Sequence, residues 1–108
     1  MNLDQMTTNG CTKAMEACVD RLRILGWASE DIGHHSKDLT VRLRVACKGC
    51  LDEAVHDFAE AMKAGLSGIA VPTFYATFAQ AGIRVANEFD QHHAAEFAAD
   101  YEQFASVE

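Results

Sequence analysis

DLTVRLRVACKGCLDEAVHDFAEAMKA, residues 38–64, is where two folds compete. Its first part alternates: Leu39, Val41, Leu43, Val45 and Cys47 are separated by Thr40, Arg42, Arg44 and Ala46. That is the period of a half-buried strand, and Val and Thr favour strands. On a helical wheel the same stretch reads as one long helix. Leu39, Leu43, Ala46, Cys47, Cys50, Leu51, Ala54, Val55, Phe58, Ala61 and Met62 fall in one half of the circumference, and Arg42, Lys48, Gly49, Asp52, Glu53, His56, Glu60 and Lys63 in the other. Val41, Val45, Arg44 and Asp57 are the misfits. A strand also needs a partner, and the chain offers no second convincing one. The stretch therefore reads as a helix from about Asp38 to Ala64. Gly65 stops it, and Gly49 weakens it by about 1 kcal/mol relative to Ala.

Upstream, Cys11, Met15, Cys18, Leu22 and Leu25 recur at steps of four and three and give a helix over Thr12 to Leu25. Thr12 or Asn9 would cap it and Gly26 would stop it, with residues 1–11 as a flexible leading segment. Trp27 to His35 is a connector in which Ser29, Glu30 and Asp31 can start a short helix before Gly33 interrupts it. Downstream, Leu66 to Val71 reads as a loop, and Pro72 suits a first helical position because its missing N–H costs nothing there. Phe74, Tyr75, Phe78, Ala79, Ala81, Gly82, Val85, Ala86 and Phe89 then share one arc. Gly82 inside that arc marks a close approach of another helix backbone. Continuing the same wheel would bring Glu96 and Asp100 into the apolar arc. The phase therefore resets at Asp90, starting a helix on which His93, Phe97, Tyr101 and Phe104 share a face. These elements predict an all-α fold, a small up-and-down bundle of about four helices in a single domain over residues 1–108. The long helix outreaches its partners, so the expected assembly is a homodimer that covers it.

Composition narrows the classes further. The chain has 108 residues, 49% hydrophobic and 23% charged, with 16 acidic against 9 basic side chains and a net charge of −7. That apolar content excludes a disordered chain, and one proline with seven glycines excludes a collagen-like one. The acidity argues against direct binding to nucleic acid or to an anionic membrane. Arg21 with Arg23, and Arg42 with Arg44, are spaced so that each pair diverges on a helix, so no basic stripe forms. No apolar run spans a bilayer, and the first residues lack the layout of a signal peptide. A cytoplasmic protein with reduced thiols is expected, and its acidic surface suits a basic protein partner.

Cys47-Lys48-Gly49-Cys50 is a C-x-x-C pair able to share a metal or form a disulfide. A thioredoxin-type arrangement is excluded by layout: only 21 residues separate Cys50 from Pro72, too few for the helix and strand that fold interposes. As a metal motif the pair supplies two ligands where zinc takes about four. The composite that completes it is Cys47, Cys50, Cys18 and His93, for Zn or Cu; the competing reading is cysteine as apolar filler between helices. Cys11 and Cys18 stand two turns apart, roughly 10 Å, and cannot both join one ion. The doublets His34-His35 and His92-His93 each follow a Glu by four residues, as a faint repeat from Glu30 and Glu88. Glu53-x-x-His56 has the spacing of a di-iron ligand pair, but both side chains fall on the polar half of the long helix. There is no phosphate loop, nucleophile elbow or His-Glu-x-x-His.

The leading expectation is a non-enzymatic protein that acts by binding another protein, as a regulator or inhibitor, without a cofactor. The alternative is a metal-binding sensor or store using the Cys/His set. A third reading is a small enzyme with a cleft lined by His93, Tyr101 and Glu88.

Overall fold

The structure, a computed structural model, describes the backbone of residues 2–106 and the side chains of residues 2–94. It is all-α: α1 spans Leu3–Ile24, α2 Ser29–His34, α3 Ser36–Lys63 and α4 Ser67–Ser106. The helix reading of residues 38–64 holds. Thr40, which supported the strand pattern, is accommodated because its hydroxyl donates to the Ser36 carbonyl at 2.7 Å, one turn back.

Four boundaries differ from expectation. First, α1 starts at Leu3, not at Thr12: Asn2 is its cap, accepting from the Gln5 N–H at 2.8 Å. Thr7, Thr8 and Thr12 fit inside the helix by the same bond to the carbonyl four residues back. Second, the expected loop at Leu66 to Val71 is largely helical, and Pro72 lies inside α4. Its missing N–H leaves the Gly68 carbonyl without a helical donor, and both residues are exposed, so water can satisfy that carbonyl. Third, α2 runs through Gly33 to His34. Fourth, α4 does not break at Asp90. The Asp90 carboxylate instead accepts the Trp27 indole N–H at 2.8 Å. α1 stops and α3 begins near this level. The side chains of Glu96, Phe97, Asp100, Tyr101 and Phe104 lie outside those described.

Both glycine stops are as expected. Gly26 (φ 100°) and Gly65 (φ 76°) occupy the left-handed region. Each closes its helix with a paired bond: Trp27 N–H to Leu22 O and Gly26 N–H to Arg23 O, then Leu66 N–H to Ala61 O and Gly65 N–H to Met62 O.

Packing is organised on α4, which carries α1 on one side and α3 on the other, while α1 and α3 meet less closely. α1 runs parallel to α4. Asn9 donates to the Tyr75 hydroxyl at 3.3 Å, Arg21 Nε to Asn87 Oδ1 at 2.9 Å and Trp27 to Asp90, rungs that ascend both helices together. α3 is antiparallel, with Phe58 edge-on to Phe74 and Arg42 over the Phe89 ring. The α1–α4 backbones are close. A Cβ at Gly82 would run into the Ala14 carbonyl, and one at Gly10 would sit 2.7 Å from the Phe78 ring. Met6, Gly10, Ala14, Cys18 and Leu22 form the buried stripe of α1. Cys11 and Leu25, expected on that stripe, are exposed. The core holds no buried polar side chain among the described residues.

The molecule is long, 66 × 22 × 21 Å, with a radius of gyration of 17.4 Å. A compact chain of this length would give about 13 Å. The 40 residues of α4 account for the difference, since a helix of that length spans about 60 Å. Among the described residues no helix is long and apolar enough to cross a membrane.

Candidate functional site

The expected metal set is not brought together. Cys47 and Cys50 are both buried on α3, one turn apart, but they face different neighbours. Cys47 lines a groove between α1 and α3 with Thr8, Cys11, Met15 and Leu43, whereas Cys50 lines one between α3 and α4 with Ala81 and Arg84. The Cys50 thiol donates to the Cys47 carbonyl at 3.5 Å. Cys18 is buried two turns along α1 from Cys11, and His93 is about nine residues beyond Arg84 on α4, roughly 13 Å further along the axis. Among the described residues no group of three or more His, Cys, Asp or Glu side chains is placed to hold a metal ion. Three residues on a helix turn the side chain by about 60°, which sends Cys47 toward α1 and Cys50 toward α4.

The thiol that shares this groove with Cys47 is Cys11, across the helix interface. Cys11 is exposed and Cys47 buried, so the pair has one partner at the mouth of the groove and one on its floor. The groove encloses about 280 Å³, with Met15 from α1 and Arg44 from α3 also lining it. Burial, with a further push from the Cys11 thiol, raises the Cys47 pKa to about 12. Burial alone raises Cys18 to about 11, and burial is the main cause that raises Cys50. These thiols are held neutral, and none is poised as a thiolate nucleophile near neutral pH.

The histidine doublets meet at the opposite end. The His35 and His93 rings are 5.3 Å apart between centroids, and Trp27 lies 5.7 Å from His35 and 4.9 Å from His93. Phe89 completes the cluster, and Asp31 joins the rim of the open cleft beside it, lined by Leu25, Gly26, Trp27, His35 and His93. Glu30 and Glu88, the acids of the faint repeat, are exposed and do not line this cleft. Glu88 instead borders a shallow groove with Val41, Val45 and Val85, so the enzyme reading loses its shared cleft; Tyr101 lies outside the described side chains. Glu53 and His56 are exposed, as the wheel requires.

A third surface feature follows from the wheel misfits. Val41 and Val45 stand on the outer face of α3, 59% and 69% exposed. Around them α3 is unevenly charged: Lys37, Arg42, Arg44 and Lys48 outnumber Asp38 in its N-terminal half, where Asp38 pairs with Arg42, and Asp52, Glu53, Asp57 and Glu60 outnumber Lys63 in its C-terminal half, where Lys63 pairs with Glu60. Gly49 lies between the halves, with nothing within 4 Å of the position its Cβ would take. Comparison with known protein families, with curated proteins and with solved structures yields no match for this chain.

Proposed function

We propose that this chain is a non-enzymatic cytoplasmic interaction protein that works as a homodimer and regulates or inhibits a protein partner, a basic one given the charge of −7. The observation that carries the reading is the outer face of α3. Two aliphatic side chains one turn apart border a shallow groove toward α4, and the chain leaves each more than half exposed. A second copy fits this face for a reason of charge. Two α3 helices crossing antiparallel about a two-fold axis set the basic half of each against the acidic half of the other, the self-complementarity such an interface requires. Lys48 and Asp52 then face each other across the axis twice. Gly49, open on its outer side, lets the backbones approach near the crossing.

Charge reversal tests this directly. Lys48→Asp is expected to shift the dimer to monomer in sedimentation equilibrium, and adding Asp52→Lys to restore it. A monomeric wild-type chain, or a dimer indifferent to both Lys48→Asp and Val45→Glu, would overturn the reading.

A further inference from the structure

We propose that Cys11, Met15 and Cys47 form a soft-metal site that takes one monovalent copper ion in the α1–α3 groove. All three side chains line that groove, Cys11 and Met15 from α1 facing Cys47 from α3. Cys11 and Met15 are one turn apart on α1, which stacks their side chains on one face. The donor set is therefore two thiols and a thioether from two helices, all sulfur.

Donor chemistry selects the ion. Thiolate and thioether sulfurs are soft ligands that select Cu(I) over harder divalent ions. Zinc takes four ligands, and among the described residues no third His, Cys, Asp or Glu is grouped with this pair. Binding balances as one Cu(I) and two thiols giving a copper bis-thiolate and two protons, with Met15 adding a lone pair and releasing nothing. The product has one net negative charge. Arg44 lines the same groove and supplies the offsetting cation without being a ligand. Exposed Cys11 is the point of entry, and the ion passes from it to the buried Cys47. Because two protons leave, apparent affinity should rise with pH.

The test uses the full reduced chain without oxygen, titrated with Cu(I) against the chromophoric chelator bicinchoninate. Retention of about one equivalent is expected, with Cys11 protected from iodoacetamide in the loaded protein. Cys11→Ser, a surface substitution that leaves the core intact, should weaken binding by roughly 100-fold or more, and Met15→Leu by about tenfold. Cys50→Ser should leave binding unchanged. The site is refuted if bicinchoninate removes all copper from the wild type. It is equally refuted if Cys11→Ser binds normally while Cys50→Ser does not, which would return the copper to the C-x-x-C pair.

Discussion

Gly82 is the residue on which the α1–α4 pair depends most. Its missing side chain leaves room for the Ala14 carbonyl, and a backbone cannot move aside as a side-chain tip can. Gly82→Ala should cost about 1–3 kcal/mol in urea unfolding, as overpacking of a fitted core does. The wheel already marked Gly82 as a point of close approach, because a glycine in an apolar arc has few other uses. Gly10 carried no such mark, since it sat in a segment read as flexible. The cysteines give a second prediction at this scale. In the fold Cys18 and Cys47 hold their protons up to about 11 and about 12, above the ordinary 9.0. Their contribution to stability is therefore complete below pH 9 and is lost as the pH rises toward those values, because the unfolded chain releases protons that the folded chain retains. Between those limits each thiol should lower stability by about 1.4 kcal/mol per pH unit. Unfolding of Cys18→Ala should show a shallower alkaline decline than wild type; an identical decline would contradict the assignment. That Cys47 shares a groove with Cys11 was not legible in the sequence, because a wheel gives faces and the groove is made across two helices.

Among the elements, α3 and the start of α4 show where local reading succeeds and where it stops. The helical wheel correctly resolved residues 38–64 because eleven apolar positions over seven turns outweigh a short run of alternation. Its misfits Val41 and Val45 were informative for the same reason: they are the exposed aliphatic pair. Pro72 misled because proline suits a first turn, and only the bonding of residues 66–70 shows that the helix has already begun. Replacing it with Ala restores an N–H donor to the Gly68 carbonyl on an exposed face. Pro72→Ala should stabilise the chain by about 1–3 kcal/mol, read as a higher urea midpoint at unchanged slope. The continuity of α4 past Asp90 was hidden because a change of hydrophobic phase can mean a break or merely the end of packing partners. Trp27 supplies the tertiary reason for continuity by donating to Asp90 where a new cap was expected. Asp90→Ala should cost about 1–3 kcal/mol, since it leaves a part-buried indole N–H without its acceptor.

At the scale of the molecule, the bundle has two unlike ends and one outward face. One end gathers Trp27, His35, Phe89 and His93; the other turns from α3 into α4 with Met62, Leu66 and Ile69 exposed. Between them the outer face of α3 presents Val41 and Val45 within its mainly basic N-terminal half, ahead of the mainly acidic C-terminal half, and this face carries the proposed dimer. Surface ion pairs within the helices, such as Lys13–Glu16 and Lys63–Glu60, are exposed and contribute little, so the charge of α3 is better read as recognition than as stability. The proposed interface is electrostatic at its centre and should weaken as salt rises. The most direct measurement is sedimentation equilibrium of the tag-free reduced chain at about 0.05 M and about 0.5 M salt, over about 1–100 µM protein. The account predicts a dimer at low salt that dissociates more readily at high salt and is abolished by Lys48→Asp. A monomer throughout the range would contradict it.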